Sequence, residues 1–137
     1  MATNLKLAVA TKNAMLDAIT ARIGANGLVN IYSGVQPASP DTAVGAQVLL
    51  ATLAASAAFA PAAAGGILTA NAIANGVGTA GAGTGTTATW FRITTSGGVA
   101  VVDGSVAAAG ADMNINNTSI ATGQTVSVSS ATINAGN

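Results

Sequence analysis

TATWFRITTSGGVAVVDGSV, residues 87–106, decides how the chain is read. Two runs rich in β-branched and aromatic residues flank Ser96-Gly97-Gly98, a short turn signal, and together they spell an antiparallel hairpin. Side chains alternate along a strand, so Trp90, Arg92 and Thr94 share one face while Phe91 and Ile93 share the other. Both faces are expected to be covered, with Trp90 as the aromatic able to anchor a core.

Outward from the hairpin, the same period-two pattern recurs. LVNIYSG reads as a strand stopping at Gly34, QVLLATLAA as a second, and GGILTANAIA as a third. Between the first two, QPASPDTAVGA has Pro37, Pro40 and Asp41, the composition of an ordered loop. Downstream, DMNINNTSIATGQTVSVSSATI contains a Gly123 turn and a last strand in which Val126 and Val128 alternate with hydroxyl residues, as in a half-exposed antiparallel strand. The Asn116 and Asn117 sequons read as turn formers.

A helical period appears once, in TKNAMLDAITARIGANG. Met15, Leu16, Ile19 and Ile23 are placed on one face, Thr11 as N-cap and Gly24 as the stop, giving a helix over 11–24. Residues 1–10 form an N-terminal arm, either extended or the start of the helix; the alternation of Leu5, Leu7 and Val9 with Lys6 and Ala8 favours the extended form. The expected fold is mainly β, an antiparallel β-sandwich or small barrel with one N-terminal amphipathic helix, in a single domain over 11–137.

The composition bounds the function. The 137 residues include four basic and four acidic side chains, no His and no Cys, for a net charge of zero. Charged residues make up 6% of the chain, against roughly 25% in an ordinary soluble domain. Fifty residues between Asp41 and Arg92 contain no charge at all. Such a surface resists association weakly and suits a protein covered by neighbours. Of the 69 apolar residues 33 are Ala, so the core is thin and subunit contacts are expected to supplement it. The opening apolar run is shorter than a signal peptide requires, and the Ala-rich stretch 49–68 is too polar for a membrane span.

Without His or Cys, Ser-His-Asp and Cys-His catalysis and the usual zinc ligand sets are excluded. The four Asp are dispersed and read as caps and turns, so no catalytic residue and no cofactor is assigned. Asp112, Asn114 and Asn116 alternate in a way that could present three oxygens to one cation, yet the glycine and distal Glu of a calcium loop are missing, and a structural polar face is favoured. Gly76-Val77-Gly78-Thr79-Ala80-Gly81 has the letters of a dinucleotide loop, but no amphipathic helix follows and Asp103 falls in a hairpin strand. Residues 75–85 are therefore read as a flexible or tightly turning connection. Four basic residues at zero net charge provide no footprint for nucleic acid.

The order of motifs resembles a group of small structural proteins of tailed bacteriophages similar to capsid decoration (cement) proteins. The resemblance rests on NLKLAVATKNAMLDAI, LVNIYSGVQPASPDTAVGAQVLLATL, GILTANAIA, TATWFRI with VVDGSV, and ADMNINNTSIATGQTVSVSSATI, which span nearly the whole chain. It implies a non-enzymatic protein on the outer surface of the capsid, partnered by the major capsid protein and by itself as a homotrimer, and in the host cytoplasm before assembly. Another β-structured virion part, from tail, neck or receptor-binding apparatus, is the alternative. The residues expected to make protein contacts are Leu5, Leu7 and Val9 on the arm, and Tyr32 and Val35 beside the proline loop; burial in the protein's own core is the competing reading for each.

Overall fold

The computed structural model describes residues 4–136. The chain opens with non-helical residues 4–8 and enters helix α1, Val9–Ile23. The helix begins two residues before the expected start. Ala8, in extended conformation (φ −62°, ψ 150°), occupies the N-cap without a side-chain bond, and its carbonyl accepts the Lys12 N–H at 3.0 Å. Thr11 is thus inside the first turn rather than capping it, and Val9 belongs to the helix rather than to the arm. Residues 1–3 of the expected arm lie outside the described residues.

The helix buries Leu16 and Ile23, with Ile19 partly buried beside them. Met15 does not join this face and is 51% exposed. It stands about 100° around the helix from Leu16, on the flank of the stripe. Polar side chains tether the helix instead. Lys12 Nζ donates to the Gly136 carbonyl at 3.0 Å, Asn13 Oδ1 accepts from the Gly66 N–H at 2.9 Å, and Asp17 Oδ1 accepts from the Ala63 N–H at 2.7 Å. Gly24, at φ 71°, ends the helix as the sequence predicts, returning its N–H to the Thr20 carbonyl.

Seven strands form the main sheet: β1 (Leu28–Tyr32), β2 (Leu49–Ala54), β3 (Ile67–Thr69), β6 (Trp90–Thr94), β7 (Ala100–Ala107), β8 (Met113–Ile115) and β11 (Val128–Asn134). Their order is β2-β1-β6-β7-β8-β11-β3. All neighbours are antiparallel except β7 and β8, which run parallel. Among the described residues, two small ladders complete the β-structure: β4 (Gly76–Val77) with β10 (Thr125–Val126), and β5 (Thr84–Thr87) with β9 (Ser119–Ala121). The fold is mainly β with one helix. The sheets do not close, which rules out the barrel alternative.

The hairpin forms as its pattern demands, with Arg92 opposite Asp103 and Ile93 opposite Val102. Every residue of β6 is buried. On the core face, Val29, Ile31, Phe91, Ile93 and Leu53 belong to one buried cluster with Leu16 and Ile23 of the helix, and Ala82, Ile120 and Val126 of the small-ladder region join it. Trp90 is buried but lies on the opposite face, outside that cluster. It anchors the proline loop, not the main core.

Two strands are shorter than expected. QVLLATLAA pairs only over Leu49–Ala54, and GGILTANAIA only over Ile67–Thr69. Beyond Ala70 the chain leaves β11: Asn71 N–H donates to the Phe59 carbonyl and Ala74 N–H to the Ala54 carbonyl. The glycine-rich stretch then runs along the edge of β2, with Thr79 N–H on the Leu50 carbonyl at 2.8 Å. An edge that could pair with another chain is thereby covered.

Candidate functional site

The best-defined surface feature is the end of β1, where the proline loop begins. Tyr32 and Trp90 are directly opposed across β1 and β6, and their rings stack with centroids 4.5 Å apart and planes 14° from parallel. Arg92, two residues along the same strand, places its guanidinium 5.5 Å from the centre of the Trp90 ring. Cation–π attraction and ring stacking thus act in one column.

Arg92 is held from its other side by Asp103. Nε donates to Oδ1 at 2.7 Å and Nη2 to Oδ2 at 2.8 Å, a bidentate pair whose side chains are 7% and 2% exposed. Nη2 also donates to the Ser39 carbonyl at 3.3 Å, which fastens the proline loop over the sheet. The hydrogen bond to Asp103 raises the Arg92 pKa above its ordinary value, against the opposing effect of burial. For Tyr32, burial pushes the phenol pKa up; Arg92 acts to lower it and Asp103 to raise it. A guanidinium so held is a permanent cation, suited to packing rather than to proton transfer.

Beyond Tyr32 the loop backbone is pinned by side chains around the column. Trp90 Nε1 donates to the Ser33 carbonyl at 3.3 Å, Thr89 Oγ1 to the Gly34 carbonyl at 2.5 Å, and Gln47 Nε2 to the Val35 carbonyl at 2.6 Å. Gln47 Oε1 accepts from the Gly45 N–H at 2.9 Å, closing the returning limb of the loop. Val35 is therefore presented on a pinned backbone with its side chain 81% exposed. Exposed Val48 lies close by in the chain, and its carbonyl accepts the Ser33 N–H. Gly34, Val35, Ala46 and Gln47 line a groove of about 250 Å³ at this tip.

The five residues expected to make contacts divide into two groups. Tyr32 and Val35 come together at the tip, where Tyr32 is half-buried as a support and Val35 is outermost. Away from the tip, the arm and first helical turn have Leu5 72% exposed, Leu7 half-buried and Val9 54% exposed. Gln47 and Val48 were not legible as part of the tip. A Gln before an apolar run has no pattern of its own, and only its reach across the loop shows its role.

The remaining candidates are used internally. Asp112 Oδ2 accepts from the Ser105 N–H at 2.9 Å and from its hydroxyl at 2.8 Å; Asn114 Oδ1 accepts from the Ala111 N–H; Asn116 Oδ1 accepts from the Ser127 N–H. Each oxygen serves a different neighbour. Asn117 Oδ1 accepts from the Ser119 N–H, which makes it a turn former as expected.

The glycines of residues 75–85 answer to backbone proximity. Gly81 opens no long helix; it lies within a 3₁₀ turn, Ala80–Ala82. A Cβ on Gly78 would overlap the Ala121 carbonyl oxygen, and one on Gly76 would stand 2.8 Å from the Thr52 carbonyl oxygen. The stretch is thus a hydrogen-bonded brace and not a loose connection. Glycine permits the close approach, and the backbone that approaches is the chain's own.

No helix among the described residues is long and apolar enough to cross a membrane. Comparison with protein-family models, with curated proteins and with solved structures finds no match to this chain.

Proposed function

We propose that the chain is a non-enzymatic structural component of a tailed-bacteriophage virion, a capsid decoration (cement) protein. In this reading it binds the outer surface of the major capsid shell as a homotrimer, after residence in the host cytoplasm. The observation that supports the reading most is the pinned tip: a solvent-facing Val35 on a backbone immobilised by Thr89 and Gln47. An apolar side chain held in advance loses little conformational freedom when a partner covers it.

The sparsely charged surface supports the same reading. Arg92 and Asp103 neutralise one another in the interior, which leaves Lys6, Lys12, Arg22, Asp17, Asp41 and Asp112 to serve the rest of the molecule. Weak apolar contacts of this kind become strong when repeated over a shell. The resemblance in motif order supplies the identity of the shell.

Mass analysis of purified virions and of tailless heads tests the proposal. Hundreds of copies that stay with the heads are expected. A few copies, or copies that follow the tails, would favour a tail, neck or receptor-binding component instead.

A further inference from the structure

The main sheet contains a gap. β8 is three residues long and pairs with β7 only over Val106 and Ala107, while its other side pairs with β11 over Val128–Ala131. Before Met113 the chain turns away through residues 108–112, yet β7 extends back to Ala100 and β11 onward to Asn134. Between these two extensions lies a slot of about 230 Å³ lined by Val102, Asp103, Gly104, Asp112 and Thr132 to Asn134.

Strand alternation places peptide groups in this slot. The Ser105 N–H is directed to this side of β7, where it meets Asp112, so the Asp103 peptide two residues earlier faces the same way. The Thr132 N–H is directed to this side of β11, where it meets the Asp112 carbonyl, so the Asn134 peptide also faces the slot. Val102 and Ile133 add half-buried apolar surface. The Asp103 carboxylate is committed to Arg92, whereas Asp112 forms no ion pair among the described residues and stands at the slot's end.

We propose that the slot receives the N-terminal arm of a second copy of this chain, residues 4–8, as an added strand parallel to β7 and antiparallel to β11. The arm is non-helical and already extended at Ala8, and its apolar residues Leu5 and Leu7 alternate with Lys6. Five extended residues span about 16 Å, enough to pass the three-residue walls of the slot. Leu5 and Leu7 meet Val102 and Ile133, and exposed Lys6 meets the carboxylate of Asp112. Main-chain bonds supply affinity and this charge pair supplies register. The proposal concerns self-association and does not depend on the virion reading.

The chain has no cysteine, so disulfide trapping reports on introduced thiols alone. Lys6→Cys and Asp112→Cys chains, one with a size tag, are mixed under oxidising conditions. A tagged-untagged covalent dimer is expected, at a yield roughly tenfold above that of Lys6→Cys mixed with Thr42→Cys in the proline loop. Equal yields overturn the proposal, as does a bridge that forms only within a chain bearing both cysteines. Sedimentation of the full chain provides a readout independent of Asp112 variants: Lys6→Glu, a change on the exposed arm, is expected to weaken self-association roughly tenfold. A monomeric unaltered chain, or association indifferent to Lys6→Glu, overturns it equally.

Discussion

Asp103 and Tyr32 show how much depends on single side chains in a molecule with few charges. Asp103→Ala leaves the Arg92 guanidinium buried without its carboxylate and is expected to cost about 3–5 kcal/mol, measured by urea unfolding. Arg92→Leu with Asp103→Leu should recover most of that loss, because an apolar pair of similar size removes both desolvation costs. Tyr32, the chain's single tyrosine, gives a pH signature. Burial raises its folded-state pKa above the ordinary 10.0, so the unfolded chain releases the phenol proton first as pH rises. Stability from this group is complete below pH 10 and is lost as pH climbs through the folded pKa. Ultraviolet titration of the phenolate should show the raised midpoint, and Tyr32→Phe should flatten the alkaline loss in thermal melts. The pairing of Arg92 and Trp90 on one strand face was readable from period two alone; Asp103 as their partner required the hairpin register.

At the scale of elements, the glycine-rich brace separates two uses of glycine. Gly78→Ala drives a methyl group into the Ala121 carbonyl and is expected to cost about 3 kcal/mol through displaced backbone. Gly83→Ala meets nothing within 4 Å, but a φ of 61° with ψ −124° is a backbone conformation that side chains with a Cβ rarely adopt, which leaves a cost of about 2 kcal/mol. Chemical denaturation of both variants orders them, and a harmless Gly78→Ala would mean that the stretch is not pressed against Ala121. Composition could show that a connection was dense in glycine. It could not show which backbone would press against it, since Ala121 and Thr52 are distant in sequence. The helix illustrates the same boundary: Leu16, Ile19 and Ile23 follow from the 3.6-residue period, whereas the exposure of Met15 on the flank of that stripe depends on how much of the helix the rest of the fold covers.

For the whole molecule, the prediction concerns the partner of the pinned tip. Val35→Asp places a charge on an exposed, non-core position, so it should leave stability within about 0.5 kcal/mol. Under the decoration reading it should nevertheless weaken particle binding by tenfold or more, since a desolvated charge opposes an apolar contact. Co-sedimentation with heads stripped of the protein measures this directly. Full binding by Val35→Asp would move the contact away from the tip.

The mainly β class, the hairpin, the helix with its Gly24 stop and the doubly covered Trp90 strand were determined by the sequence itself, because each depends on local periodicity and turn chemistry. The proline loop's attachment, the brace along β2, the parallel β7–β8 pair and the gap beside it were decided only in the tertiary structure. These depend on contacts between residues far apart in the chain, where no local preference distinguishes one partner from another. The exposure of Val35 belongs to that second group: an apolar residue has the same letter in a core and on a tip, and only the backbone bonds from Thr89 and Gln47 determine which it becomes.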